Sequence, residues 1–284
     1  MSLTHVISTY NSLEFLKLAV KSVRQNSYYK QAPFVVFADG CTDGTDEWLR
    51  ANEKNYNLTL VIEPRCEHSS NGYGMNRAAE FVTTEYINFL HADMYVAPNF
   101  DRALLESIQA YDDKDRAIVS SYRIQPNIFH NGQEPDRPAT VMAPPDLYGD
   151  MPGNFNDDKF VEDAAVFQEN YKDVSFPKAE GCSFIIKKRD WDYIGGNDVR
   201  FKPNGFDDMD LFLRMRAEGY KYKVIGSSVV FHFAGRGGNG FFGKGLGTRN
   251  QSNAIGESKA AQAFYEKWKG MPYNDEYGMV VGVK

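Results

Sequence analysis

Residues 33–46 read PFVVFADGCTDGTD, and the fold is decided there. Pro33–Ala38 is a short apolar run rich in Val and Phe that stops at Asp39-Gly40, the signature of a buried strand closed by a turn. Asp43 and Thr45 are suited to cap a helix, and an amphipathic stretch follows to Asn55. Working outward, Thr4–Thr9, Leu58–Glu63 and Glu85–Leu90 are further strands of the same kind. Leu13–Gln25 and Gly74–Val82 are further helices; in the first, Leu13, Leu16, Val20 and Val23 fall on one face. A β-α-β-α order predicts an α/β protein with a parallel sheet covered by helices on both sides. Ligands of such sheets bind at the carboxyl ends of the strands. That rule points at Thr9–Asn11, Asp39–Gly44 and His91–Asp93.

The remainder of the chain is less regular. Asp101–Ala110 reads as a helix and Ala117–Tyr122 as a strand. Pro126–Phe176 carries six prolines among acids and aromatics and reads as a long irregular insertion. Order returns with a strand at Cys182–Lys187, a turn or short helix at Arg189–Ile194, a helix at Asp208–Glu218 and one or two strands in Tyr222–Phe233. Ser258–Lys269 reads as a last helix with Ala261, Phe264, Tyr265 and Trp268 as its stripe. No repeat and no Gly/Ser linker divides the 284 residues, so a single domain is expected.

Composition narrows the class. Hydrophobic residues at 42% and charged residues at 25% are those of a globular core, which excludes disorder, collagen and coiled coil. A net charge of −6 argues against a broad nucleic-acid face. Three scattered cysteines form no CxxC pair, so neither a disulfide framework nor a cysteine zinc site is indicated, and a reducing, cytoplasmic setting is expected. The N-terminus lacks a signal-peptide pattern, and no apolar run approaches the ~20 residues that span a bilayer. Peripheral membrane association stays open.

Several residues carry chemistry, each with a plainer alternative. Asp39 directly follows a buried strand, where a carboxylate can accept from a nucleobase N–H or a ribose hydroxyl; Asp43 and Asp46 serve equally well as turn and cap residues. His91-Ala92-Asp93 offers two donors for one divalent cation, or is a loop Asp with a satisfied His. Asp207, Asp208 and Asp210 open a helix, where capping and the macrodipole favour acids. Adjacent Asp207 and Asp208 repel each other, and one of them as a general base, tuned by the other, would explain the pair. His232 ends an apolar strand and is either a core residue or a metal ligand. Gly235–Gly240 matches GxGxxG, but no ribose acid or helix follows; Gly238–Gly245 nearly matches a P-loop but ends in Gly245 where Ser or Thr would hold Mg²⁺. A Gly-hinged lid over 235–247, with Arg236, Lys244 and Arg249 meeting phosphate charge, fits that stretch better.

Taken in order, these motifs resemble the inverting family 2 glycosyltransferases of GT-A fold. Thr9-Tyr10-Asn11 resembles the family's first turn, and Ala38–Thr45 its D-D-G-S-x-D-G-T. Asn71–Ala79 resembles its G-x-x-x-A-x-N region, and His91-Ala92-Asp93 its D-x-D. Gly195–Asp198, Asp207–Leu211 and His232 resemble its G-G-F-D, E-D-x-D-L and terminal His. The match covers roughly residues 3–235.

The resemblance implies a Rossmann-like, mostly parallel sheet flanked by helices, with an irregular acceptor-side insertion. It implies a nucleotide-sugar-binding half over 1–122 and an acceptor and catalytic-base half over 123–284. Thr9, Asn11, Asp39, Arg77 and His91 would bind the nucleotide-diphospho-sugar donor, most simply a UDP-sugar. Asp93 and His232 would hold Mn²⁺ or Mg²⁺, and Asp208, beside Asp207, would be the base. The acceptor would be a carbohydrate or a lipid-linked glycan, with Tyr148, Phe155 and Phe160 available to stack on sugar rings. Two positions depart from the pattern, Ala38 and His91, each standing where the family has Asp. They leave the alternative of a non-catalytic glycan-binding protein on a transferase scaffold; a sugar-1-phosphate nucleotidyltransferase, which shares a nucleotide-binding α/β half, is a second alternative.

Overall fold

A computed structural model describes residues 2–128, 136–181, 183–202, 205–234 and 251–284. The elements run β1 (Leu3–Thr9), α1 (Leu13–Asn26), β2 (Phe34–Asp39), α2 (Thr45–Asn52), β3 (Leu58–Glu63), α3 (Asn71–Ala79), β4 (Tyr86–His91), β5 (Met94–Val96), α4 (Phe100–Gln109) and β6 (Ala117–Pro126). They continue through β7 (Thr140–Ala143), α5 (Pro145–Tyr148), α6 (Asp157–Asn170), β8 (Ser175–Phe176), β9 (Ser183–Lys187), α7 (Lys188–Ile194), α8 (Asp207–Ala217), β10 (Lys221–His232), α9 (Gln251–Trp268), β11 (Pro272–Asn274) and β12 (Val280–Val283).

The main sheet has the order β3-β2-β1-β4-β9-β6-β10-β5, with β7 on β6 and β8 on β10. Strands β3, β2, β1 and β4 are mutually parallel, as the apolar runs predict. β9 is antiparallel to both β4 and β6, and β10 then runs parallel to β6. Every residue of β1 and β2 is buried, which is why these strands read as continuous apolar runs rather than alternating ones. α1 buries Phe15, Leu16, Ala19, Val20 and Val23, so the buried stripe is rotated slightly from the expected one and Leu13 lies at its edge.

The insertion is more ordered than its prolines suggested. All six lie at or before Pro152, and the proline-free stretch that follows forms the 14-residue helix α6. The Asn156 side chain caps it by accepting from the Lys159 N–H at 3.1 Å, and Phe160 and Ala164, one turn apart, face the sheet. Tyr148, Phe155 and Phe160 could either stack on sugar rings or pack over the sheet, and in the fold they pack. Tyr148 and Phe160 are buried and Phe155 nearly so, packed with Tyr95, Phe231 and Phe233 into an aromatic cluster under the insertion. Among the α9 residues whose burial is described, Ala260 and Phe264 are buried, while Tyr265 is exposed. The expected lid over 235–247, with Arg249, and Cys182 lie outside the described residues.

Candidate active site

Strand register assembles the site. Thr9 pairs with Ala38, the residue before Asp39, and Ser8 pairs with His91, so the carboxyl ends of β2, β1 and β4 place Asp39, Thr9 and His91 along one edge. β10 closes the far side: its antiparallel pairing with β5 sets His232 opposite Met94, and the Phe233 N–H donates to the Asp93 carbonyl at 3.0 Å. Residues remote in sequence are thereby held within one turn of each other. His91, Asp93 and His232 offer donor atoms that all lie within 4.8 Å of one another. His232 Nε2 is 3.6 Å from Asp93 Oδ2, and His91 Nε2 is 3.1 Å from Asn71 Nδ2.

This trio fits a divalent cation. One carboxylate and two imidazoles converge, and the buried Nδ1 of His232 has no protein hydrogen bond. Burial pushes His232 down to about 4, against the opposing pull of Asp93, and lowers His91 as well. Both rings are therefore neutral near pH 7, the form that ligates metal. A nitrogen-rich set suits Mn²⁺ better than Mg²⁺, which takes oxygen ligands.

Asp207 and Asp208 begin α8 and face a cavity of about 230 Å³ that His91, His232, Arg123, Glu180 and Asn71 also line. A glycine lets Asp208 approach: a Cβ on Gly181 would sit 2.9 Å from the Asp208 Cβ, whereas one on Gly72 would crowd Asn197 at 2.9 Å and make only ordinary contact with Asp207 at 3.5 Å. Burial, then the charge of Asp208, pushes Asp207 up to about 7. Asp208 is also raised, chiefly by burial, although its own N-terminal position and the Met209 N–H oppose the shift. Its accessible surface opens into the cavity, so water reaches a carboxylate walled by protein. Asp210 stands apart. It is fully buried, holding Arg214, Lys267 and the Trp268 indole, and thus ties α9 to α8.

The other sequence-derived residues divide. Asp39 is buried and accepts from Ser69 Oγ at 2.6 Å, with Arg65 Nη1 at 3.3 Å; Arg65 also stacks on Tyr10 at 3.8 Å. Thr9 has a buried hydroxyl oxygen with no protein partner. Asn11 instead works within the scaffold: at φ 48° its carboxamide accepts from the Thr42 N–H at 2.7 Å, and it borders a separate groove with Trp48 and Met151. Arg77 does not join the cavity lining. Its guanidinium pairs with Glu63 at 2.6 Å and also with Glu80. Ala38 is fully buried in the core. Sequence reasoning missed Arg123, Glu180, Asn71 and Arg65. Arg123 was beyond its reach because β6 runs to Pro126, past the expected end at Tyr122. Glu180 gave one usable signal: it precedes β9, and an antiparallel strand starts at the edge where its parallel neighbours end.

The mostly parallel sheet flanked by helices is the fold of the GT-A glycosyltransferases to which this chain is structurally similar. The sequence profile described as Glycosyl transferase family 2 matches residues 4–170, and the chain belongs to that family. The uncharacterized glycosyltransferase YfnE of Bacillus subtilis (strain 168) is 21% identical over 263 residues, covering 82% of this chain and 64% of that one. A crystal structure of GalNAc-T7 with UDP, GalNAc and Mn²⁺ superposes with a TM-score of 0.58 at 16% identity, covering 82% of this chain and 44% of that one. The mannosyltransferase PcManGT from Pyrobaculum calidifontis, in complex with GDP-Man and Mn²⁺, gives 0.54 at 17% identity, covering 82% and 56%. The chain thus spans less than two thirds of the length of each of these proteins. Among the described residues no helix is long and apolar enough to cross a membrane.

Proposed function

We propose that this chain is a metal-dependent, inverting glycosyltransferase that moves a sugar from a nucleotide-diphospho-sugar, a UDP-sugar in the first instance, to a hydroxyl of a carbohydrate or lipid-linked acceptor. The observation that carries the reading is the meeting of Asp208 with His91 and His232 in one cavity at the carboxyl edge of the sheet. Residues 1–122 supply the donor side, with Asp39, Arg65 and Tyr10 at the nucleotide end and Thr9 between. Residues 123–284 supply the base and the acceptor side.

His91, Asp93 and His232 would hold Mn²⁺ or Mg²⁺, which when bound neutralises charge on a leaving diphosphate. Asp208 takes the proton of the acceptor hydroxyl as its oxygen bonds to the anomeric carbon. The bond from that carbon to the diphosphate breaks, and the electron pair leaves with the diphosphate. One displacement inverts the centre and requires no enzyme nucleophile. Its raised carboxyl suits Asp208 to this task, because it is a stronger base than a carboxylate at the ordinary value.

The test is nucleoside diphosphate release from a panel of nucleotide sugars, with Mn²⁺, Mg²⁺ or EDTA, in wild type and Asp208→Asn. The expected result is metal-dependent release from one donor and a loss of roughly 10²–10⁴-fold in transfer for the variant. Nucleoside diphosphate affinity should be unchanged. Binding without turnover, with and without acceptors, would replace this reading with that of a glycan-binding protein on a transferase scaffold.

A further inference from the structure

Besides Asp207 and Asp208 the catalytic cavity holds a third carboxylate, Glu180, that the steps above do not use. The Glu180 backbone is fastened to β6: its N–H donates to Ser120 Oγ at 3.1 Å, and the same hydroxyl donates to its carbonyl at 3.5 Å. The side chain is only 10% exposed and lies between two cations, with Lys178 Nζ 2.7 Å from Oε1 and Arg123 Nη1 3.3 Å from Oε2. Each cation is anchored in turn to the insertion, Arg123 by donating to Thr140 Oγ1 at 3.1 Å and Lys178 by donating to the Pro138 carbonyl at 3.3 Å. Both Glu180 and Arg123 line the cavity beside Asp208, His91 and His232.

A carboxylate this enclosed needs compensation, and the two ion pairs provide part of it. They also fix its position. A carboxylate offers about four lone-pair directions, more than two cations consume, and all of them accept. The matching ligand groups are donors at fixed spacing, and neighbouring hydroxyls on a sugar ring have that form. The cavity, at about 230 Å³, is smaller than the ~300–1,000 Å³ of drug-sized sites and is scaled to one ring. Resting on the transferase reading, we propose that Glu180 is a specificity-determining residue that accepts hydrogen bonds from the ring hydroxyls of the sugar in this cavity. Lys178 and Arg123 are positioning residues that hold it there. The hydroxyls belong to the transferred sugar or to the acceptor sugar, and the two sources share the same chemistry.

The experiment crosses enzyme variants with deoxy substrates. Wild type, Glu180→Gln and Glu180→Asp are assayed with the nucleotide sugar that wild type turns over, and with analogues in which single ring hydroxyls are replaced by hydrogen. Release without acceptor reads the donor, and transfer to a panel of p-nitrophenyl monosaccharides and their deoxy forms reads the acceptor. Calorimetry with the free nucleoside diphosphate checks the nucleotide end. In wild type one deoxy position should cost about 10- to 100-fold in kcat/KM, the value of a hydrogen bond to a charged group. Glu180→Gln should lose a similar factor with the parent substrate and nothing more with that deoxy analogue. Nucleoside diphosphate affinity should stay within twofold. A penalty confined to donors assigns the hydroxyls to the transferred sugar; one confined to acceptors assigns them to the acceptor. Glu180→Asp keeps the charge that Lys178 and Arg123 require, so it reads the same cycle should the Gln variant unfold. Variants that keep wild-type kcat/KM and the full deoxy penalty overturn the role of Glu180 while leaving the transferase reading intact. A wild type that releases nothing from any donor overturns the transferase reading, and this one with it.

Discussion

Gly181 and Asp208 touch so closely that no side chain fits between them: a Cβ built on Gly181 lies 2.9 Å from the Asp208 Cβ and 3.0 Å from its Oδ2. The start of β9 is thus the surface against which the proposed base is set. Gly181→Ala should displace the carboxylate by a fraction of an ångström to about 1 Å. The expected loss in kcat is about 10- to 100-fold, since misplacement on that scale is enough to break a near-attack geometry. The melting temperature should change little, because the displaced residue borders a cavity. An unchanged kcat would separate Asp208 from the chemistry.

The metal trio predicts a cation preference. With two imidazoles and one carboxylate, half-maximal nucleoside diphosphate release should need less Mn²⁺ than Mg²⁺. His91→Asp adds an oxygen ligand and should narrow that gap. Asp93→Asn should weaken metal dependence by at least the roughly 10–100-fold that loss of an outer-shell partner already costs. Metal titrations of the three proteins, followed by both product release and calorimetry, check this. An equal response to Mn²⁺ and Mg²⁺ in wild type would count against ligation by both histidines.

These expectations were legible in the sequence to different depths. The parallel half of the sheet was plain, because strands buried on both faces, β1 and β2, read as continuous apolar runs; at the edge, Leu58–Glu63 matches β3 residue for residue. His91, Asp93 and Asp39 were legible as strand ends. His232 was ambiguous until its pairing through β10 and β5 brought it to Asp93, because a strand's partner is not written in its own residues. Helix α6 was masked by prolines that all precede it, although Asn156 and two following acids gave a good cap. Arg77 shows what a motif position leaves unsaid: it is expected at the nucleotide, and in the fold its guanidinium pairs with Glu63 at the end of β3.

Asp207 predicts a pH dependence of stability. Its carboxyl is pushed from 3.8 up to about 7 in the folded protein, by burial first and then by Asp208. A raised carboxyl binds its proton more tightly folded than unfolded, so stability from this group is greatest at low pH and falls as pH rises from about 4 through 7. One proton gives a slope of at most about 1.4 kcal/mol per pH unit. Other groups titrate in the same range, so the measurable quantity is a difference. Asp207→Asn should gain stability relative to wild type between pH 5 and pH 8, as followed by urea midpoints at each pH. A constant difference across that range would show that Asp207 ionises normally.

Asp210 tests whether the acids of α8 differ in kind. It sits two residues from Asp208 and, unlike it, is fully buried with Arg214 Nε at 2.8 Å, the Trp268 indole at 2.8 Å and Lys267 also in contact. Removing it leaves Arg214 without its carboxylate, leaves Lys267 with Asp198 alone at 2.8 Å, and loosens α9 from α8. Asp210→Ala should therefore destabilise the fold by about 3–5 kcal/mol, the cost of breaking a buried pair from one side. Asp208→Asn should leave stability nearly unchanged while abolishing transfer. Denaturant unfolding and donor turnover measured on both variants decide the matter. If Asp210→Ala were stable and inactive, the acid that matters to catalysis would be two residues beyond the one assigned, and the capping explanation would then belong to Asp208.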